Sequence, residues 1–352
     1  MAAQGTTWWR PDRLAARRAN LAARGRILRA VRNFFADQGF TEVQTPALQV
    51  SPGLEPHLQA FATMLHDPRD SAAKPRYLHT SPEFAMKKLV AGGMERIWQL
   101  APVFRDGERG ATHHPEFAML EWYRAGATYG DLMADCEALL RRAQAVSEKS
   151  GALAWKGQAA DARLPFERLS VADAFARHAG VDILATAPDP ARPDFALLAA
   201  AAERVGLAPH PGDDWESLYF RIFLDRIEPR LGVGAPTILH DYPAAMAALS
   251  RRKPSDPRLA ERFELYVCGL ELANAFQELT DPAEQRARFS ADQARKRALY
   301  GETYPIDEDF LAALDHGLPE CAGVALGFDR LLMATVGADS LADVMAFPID
   351  RA

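Results

Sequence analysis

FRDGERGATHHPEFAMLEWYR, residues 104–124, is the stretch whose reading decides the fold. Ile97–Arg105 and Glu116–Arg124 read as two strands around the polar loop Asp106–His114, an antiparallel hairpin with a long connection. Alternation puts Arg105 on the face that holds Gln99 and Val103. On the return strand, Phe117, Met119, Glu121 and Tyr123 share one face. A carboxylate among apolar neighbours needs a partner. For Glu121 two readings stand: a structural salt bridge with a neighbouring arginine, or a place in a binding site. His113 and His114, in the loop, are either nucleotide contacts or solvated side chains.

A second stretch, GVALGFDR (Gly323–Arg330), reads as a strand over Val324–Leu326 running into a helix over Phe328–Val336, closed by Gly337. Arg330 falls in the first helical turn, where the helix dipole disfavours a cation. A bound phosphate would resolve the conflict, gaining from the helix terminus and the guanidinium together. Pairing with Asp329 or another acid is the structural alternative.

Between them, Phe263–Val267 and Leu270–Phe276 form a hairpin around Cys268-Gly269. With a two-residue turn, Tyr266 pairs with Glu271 and Glu264 with Ala273. Glu264 and Glu271 then share a face, close enough to hold a hard cation such as Mg²⁺ bridging ATP phosphates. A wet, acidic sheet face is the other reading. Glu278 lies beyond the regular strand, so its direction does not follow from the pattern.

The rest of the chain fits an α+β layout, a mostly antiparallel sheet flanked by helices. Leu14, Leu21, Leu28, Val31 and Phe35 recur at helical spacing, Gly39 caps that helix, and Phe40–Thr45 reads as a strand stopped by Pro46. Tyr77–Thr80 reads as a strand, and Ser81-Pro82-Glu83 after it opens a helix. Residues 130–148 and 283–300 read as helices. The Ala-, Pro- and Asp-rich stretch 150–215 reads as an insertion of small helices within one domain spanning 1–352.

Composition, 48% hydrophobic and 25% charged, is that of a soluble globular protein. The net charge of −6 carries no overall nucleic-acid signature. Residues 1–32 nonetheless hold arginines at 10, 13, 17, 18, 24, 26, 29 and 32 against one acid, Asp12. They form either a solvated helix face or a patch that steers an acidic partner. Cys136, Cys268 and Cys321 are scattered and lack CxxC spacing, which argues against a disulfide framework or structural zinc and for a reduced cytosol. The N-terminus lacks a signal peptide's apolar core, and no run of 18 apolar residues occurs, so the expectation is a cytoplasmic protein without a membrane span.

Together these segments resemble the catalytic domain of class II lysyl-tRNA synthetases, and more closely their short paralogues, the elongation factor P–lysine lysyltransferases. The resemblance runs from about Asn33 to Ala352, through FFADQGFTEVQTP, TSPEFAMKKLVAGG, HHPEFAMLEWYR, RFELYVCGLELANAFQELTD, CAGVALGFDR and FPIDRA, in that order. It implies that Arg105 binds the ATP α-phosphate and Arg330 the γ-phosphate. Glu264 and Glu271 would serve Mg²⁺ and ATP, with Leu272 beside the nucleotide and Gly327 allowing close approach. Asp106, Gly107 and His114 fall at further nucleotide positions. Ser81, Pro82, Glu83, Tyr123, Glu278 and Ala325 would surround the amino acid. Carboxylates at 83 and 278 suit a substrate with two ammonium groups, and each charge-assisted pair contributes roughly 1.5–3 kcal/mol.

The implied activity is activation of (R)-β-lysine to an adenylate and transfer to a lysine ε-amine of elongation factor P, by a homodimer that uses no tRNA. Two features favour the paralogue. The catalytic domain is expected to begin almost at residue 12, which leaves no room for an anticodon-reading OB-fold before it. Ala325 stands where lysyl-tRNA synthetases generally have glycine. There are departures too. Arg105-Asp106-Gly107-Glu108 replaces the usual Arg-Asn-Glu-Glu, so a side-chain contact at 107 is lost and Glu108 is its substitute. His114 replaces an Asn and Ala275 a Gly. The rival readings are a synthetase paralogue that charges tRNA or another small acceptor with lysine, and an inactive regulatory pseudo-synthetase. An ammonia-dependent asparagine synthetase would share the fold but not a two-carboxylate pocket.

Overall fold

The computed structural model describes residues 10–69, 72–147 and 151–349. The last three residues of the FPIDRA segment, and the side chain of Arg13, lie outside the described set.

Helix α1 (Pro11–Asp37) begins on a proline, where a missing N–H costs nothing, and stops at Gly39, whose φ of +73° suits glycine. Two of its arginines hold it in place: Arg24 pairs with Asp329, and Arg32 with Glu42. Strand β1 is only Thr41–Glu42, shorter than the expected Phe40–Thr45. It pairs with its neighbour at two positions, after which Thr45 N–H turns to donate to Gln99 Oε1 at 2.9 Å. Short strands β2 (Leu48–Gln49), β3 (Ala62–Leu65) and β4 (Lys74–Leu78) make a separate small sheet. Helix α2 (Glu83–Ala91) follows.

The hairpin that opens the sequence reading is β5 (Arg96–Phe104) with β6 (Glu116–Ala125), paired antiparallel from Arg96↔Arg124 to Phe104↔Glu116. Helix α3 (Tyr129–Ala145) starts at a Thr128–Asp131 capping box. Residues 151–215 are less helical than expected. A hairpin of β7 (Leu153–Trp155) and β8 (Gln158–Ala160) comes first, and β9 (Glu167–Ser170) then joins the edge of the main sheet. Helices α4 (Val171–Ala179), α5 (Phe195–Arg204) and α6 (Trp215–Ile222) follow, around a buried core that contains Phe175 and Tyr219. The Ala-rich composition hid the strands, because each is only three or four residues long.

Strands β10 (Thr237–Pro243), β11 (Leu259–Val267) and β12 (Leu270–Gln277) extend the sheet. Helices α7 (Pro282–Tyr300) and α8 (Glu308–Gly317), strand β13 (Cys321–Gly327) and helix α9 (Phe328–Val336) complete the chain. The main sheet has the order β1-β5-β6-β13-β12-β11-β10-β9. It is antiparallel except at its two edges, where β1 and β9 pair parallel to their neighbours.

One face of the sheet packs on α1, α3 and α9 through Phe35, Trp98, Trp122, Phe263 and Phe328, all 2% exposed or less. Each such buried side chain contributes about 1.5–3 kcal/mol, which fixes the sheet's orientation. The alternate residues therefore point to the other face, where α2, α7 and α8 pack at one end and a cavity opens beside them.

Candidate functional site

The cavity has a volume of about 400 Å³ and its floor is the central sheet. Phe117, Met119, Glu121 and Tyr123 of β6 line it, on the single face that alternation gave them. Gly323, Ala325 and Gly327 of β13 lie beside them, followed by residues of β12 and β11. Ala325 stands between Glu121 and Asn274 across the strands and packs against Ala101, Val103 and Met119.

A bulge decides which glutamates meet. Tyr266 pairs with Glu271 as expected, but Glu264 pairs with Asn274 and not with Ala273, because the register shifts at Leu272. Leu272 and Ala273 are consecutive buried residues, whereas Glu271, Asn274 and Phe276 are all half-exposed. The extra residue returns Glu271 to the face of Asn274, Phe276 and Glu278. So the strand whose direction was underivable at Glu278 brings all three glutamates, at 264, 271 and 278, to one cavity.

At one end the cavity is acidic. Glu55, Glu83, Glu121 and Glu278 stand there, and the ammonium of Lys87 pairs with Glu83 and Glu278. Lys87, whose side chain is fully buried, pairs with Glu83 one turn before it and with Glu278 Oε2 at 2.5 Å. Burial opposes its charge, but Glu278 and Glu83 outweigh burial and hold it well above the ordinary lysine range. Glu278 Oε1 has no hydrogen-bond partner among the described residues. Burial, and then the Glu83 charge, pushes Glu121 up to about 8. Its partners are hydroxyls and not the arginine considered above: Ser81 Oγ donates to Oε2 and Tyr123 OH to Oε1, both at 2.7 Å. Ser81 Oγ also accepts from Glu83 N–H at 3.1 Å, so the Ser-Pro-Glu turn starts α2 and lines the cavity at once. Pro82 does not line it; the proline faces a small recess behind. Gly323 allows this crowding, since a Cβ there would lie 2.2 Å from Tyr123 Cε1 and 2.6 Å from Glu278 Oε1.

At the other end the guanidinium groups of Arg105, Arg262 and Arg330 face the cavity. Arg105 lies over the Phe117 ring at 5.2 Å and 3.6 Å from Glu108. Arg330 donates to the Thr112 and Glu271 carbonyls at 3.1 and 3.0 Å and to Nε2 of His113 at 3.0 Å. It does not pair with Asp329. That carboxylate is turned away, accepting from Ala118 N–H at 2.7 Å and from Arg24. Glu264 pairs with Arg262 at 2.6 Å and accepts from Tyr266 OH at 2.5 Å. Burial, and then the Glu264 charge, pushes Glu271 up to about 7. Among the described residues no group of three or more His, Cys, Asp or Glu side chains could hold a metal ion, so any cation here has two carboxylates and needs other ligands.

A model of the family described as tRNA synthetases class II (D, K and N) matches residues 9–351. The chain belongs to this class II synthetase family. Its curated relatives include proteins called elongation factor P–(R)-β-lysine ligase. One from Pectobacterium carotovorum is 42% identical over 349 residues, 99% of both chains. One from Vibrio cholerae is 41% identical over 336 residues, 95% of this chain and 96% of its own. One from Sodalis glossinidius is 40% identical over 346 residues, 98% of each.

For a class II synthetase-family chain, the departures noted in the motifs now have positions. Ala275 is fully buried in the core on the far face of the sheet and does not reach the cavity. Asp106 and Gly107 are not among the residues lining it. Asp106 bridges to Gln59, and its Oδ1 accepts from Gly107 N–H at 2.8 Å. His114 does line the cavity, but its ring is occupied: Nδ1 bonds the Glu116 carbonyl and Nε2 accepts from Ile349 N–H at 2.8 Å. Leu272 lines the wall through the bulge. Glu55, Lys87 and Arg262 escaped the sequence reading. Lys87 had a usable signal, a lysine four residues after Glu83 on an otherwise apolar helix face; Glu55 lies in a loop and had none.

Proposed function

We propose that this chain uses ATP to activate (R)-β-lysine as an adenylate and passes the β-lysyl group to a lysine ε-amine of elongation factor P. The observation that carries the reading is the contrast between the cavity's ends, four carboxyl groups with the Lys87 ammonium at one, and three guanidinium groups, each beside one of Glu108, Glu264 and Glu271, at the other. An amino acid with two ammonium groups suits the first and a polyphosphate the second. The names of the relatives supply the acceptor and the β-lysine.

In this reading Glu83, Glu121, Glu278, Ser81 and Tyr123 hold the amino acid, and Ala325 shapes the wall beside it. The substrate carboxylate attacks the α-phosphorus and pyrophosphate leaves. Arg105 binds the α-phosphate and Arg330 the γ-phosphate, so positioning and electrostatic stabilisation do most of the catalysis. Glu264 and Glu271 both line the cavity and would hold a divalent cation: the Glu264 charge raises Glu271, which a cation would relieve, with Glu264 held in place by Arg262 and Tyr266. Mg²⁺ takes one or two carboxylates and completes its shell with phosphates and water, and would neutralise phosphate charge here. The same reading has residues 1–352 as one catalytic unit with an insertion near 150–215, working as a cytoplasmic homodimer without tRNA. Three buried free cysteines suit a reducing compartment, and no helix among the described residues is long and apolar enough to cross a membrane.

The test is pyrophosphate exchange with ATP and Mg²⁺, comparing (R)-β-lysine with α-lysine, followed by mass analysis of added elongation factor P. Exchange with β-lysine and a matching mass gain are expected. Exchange with α-lysine alone and no mass gain would replace this reading by a synthetase-like enzyme with another acceptor.

A further inference from the structure

A second cavity of about 220 Å³, the branch, adjoins the first. The two share Glu55, Phe220, Ala248, Leu249 and Arg262. The branch runs between the loop that carries Glu55, helices α6 and α7, and the turn Ala244–Met246. Leu54, Met246, Leu249 and Phe289, each buried, give it apolar walls. Its acids are not equivalent. Glu216 is neutralised by Arg295. Asp292 has no ion-pair partner among the described residues, and Glu55 Oε2 is shut off from solvent without a hydrogen bond.

We propose that this branch is the channel by which the acceptor lysine reaches the adenylate, its methylenes against the apolar walls and its ammonium received by Asp292 and then by Glu55 at the junction. The inference rests on the acyl-transfer reading above. Two observations carry it. Glu55 belongs both to the branch and to the acidic end where the amino acid would sit. A passage whose apolar walls carry Asp292 and Glu55, with Arg262 and Arg295 also lining it, matches an amphipathic cationic side chain whose ammonium the two carboxylates receive. Burial and then the charge of Glu55 push Asp292 up to about 7, and burial and then the Glu83 charge raise Glu55, so an incoming ammonium relieves both. The amine gives up its proton to solvent and attacks the adenylate carbonyl as the neutral base. The amide C–N bond forms, the bond from the carbonyl carbon to the phosphate oxygen breaks, and AMP leaves with that electron pair.

The experiment separates the two half-reactions in the full-length chain. Ala245 and Asp292 line only the branch. Ala245→Phe narrows it, and Asp292→Lys reverses its charge on α7, keeping the test decisive if the first variant does not fold. Three quantities are read with (R)-β-lysine: pyrophosphate exchange, trapping of the adenylate by hydroxylamine, and mass gain on elongation factor P. Exchange and hydroxamate formation should stay at the parent level. Transfer to the protein should fall roughly a hundredfold for Ala245→Phe, as misplacement of a reacting group does, and roughly tenfold for Asp292→Lys. Transfer at the parent rate in both variants overturns the channel, as does exchange falling in parallel with transfer. If the parent chain itself gives exchange but no mass gain, the acyl-transfer reading fails first, and the channel with it.

Discussion

Lys87 Nζ lies 2.5 Å from Glu278 Oε2 and pairs at the same time with Glu83, inside a wall where the lysine is inaccessible and Glu278 is 1% exposed. One ammonium thus neutralises two carboxylates that come from opposite ends of the chain, α2 and the residue after β12. Replacing it with a methionine of similar length leaves both acids buried and unpaired. Lys87→Met should cost about 3–5 kcal/mol of stability at pH 7, measured by urea unfolding. Part of that loss should return at pH 5, where the Glu278 carboxyl, pushed up by burial, holds a proton. A variant as stable as the parent at pH 7 would mean that the ion pairs do not hold the wall.

Two glycines of one strand should respond in opposite ways. A methyl at Gly323 would lie 2.2 Å from the Tyr123 ring and 2.6 Å from Glu278, both of which are buried and packed. Gly323→Ala should lower the melting temperature, by an overpacking cost of about 1–3 kcal/mol, and raise the KM for the amino acid. At Gly327 the nearest atoms to a new methyl are in the Arg330 side chain, 3.6 Å away, an ordinary contact. Gly327→Ala should leave the melting temperature unchanged and raise only the KM for ATP. An unchanged KM for ATP would remove the nucleotide from this stretch of β13.

The contrast shows what was legible in the sequence. Strand alternation alone put Phe117, Met119, Glu121 and Tyr123 on one face, because a regular antiparallel strand has period 2 and no choice. The α+β layout, the Cys268-Gly269 turn and the helix after Gly327 followed from equally local rules. The bulge at Leu272 did not. Whether an extra residue is absorbed depends on what packs beneath the strand, and Leu272 and Ala273 both enter the core there. Asp329 escaped for a similar reason. Its partners, Arg24 and the Ala118 N–H, come from elements 305 and 211 residues away, which no short-range pattern encodes.

The acidic end predicts a pH dependence with a definite sign. Glu121 is 1% exposed and titrates near 8 in the folded chain, against an ordinary 4.5. Glu278 is likewise pushed up, to about 7, by burial, against which the Lys87 charge works. Between the ordinary and the folded values the folded state holds protons that the unfolded chain has lost. Stability of the ligand-free protein should therefore fall as pH rises from about 5 to about 8. Glu121→Gln, which keeps the size and drops the titration, should flatten that slope. A substrate with two ammonium groups should then expel protons on binding at pH 7, seen as a buffer-dependent enthalpy in titration calorimetry. Binding enthalpies independent of buffer would show that the carboxyls are already ionised.

Asp329 and Arg330 are neighbours in sequence with separate work, and substitutions should divide them cleanly. Asp329 is 2% exposed, and its carboxylate ties α1 to β6 through Arg24 and the Ala118 N–H. Asp329→Ala strands a buried backbone donor and a guanidinium, so it should cost roughly 3–5 kcal/mol in unfolding free energy. Arg330 faces the cavity and, among the described residues, hydrogen-bonds to two carbonyls and to His113 and lies 3.7 Å from Glu271. Burial and the Arg330 charge keep His113 below the ordinary histidine range, leaving it a neutral acceptor. Arg330→Ala should lower pyrophosphate exchange by roughly 100-fold or more while shifting the melting temperature little, as loss of one preorganised transition-state donor does. The opposite pattern, a large stability loss with exchange retained, would make Arg330 a strut of the loop 112–113 and move phosphate binding elsewhere in the cavity.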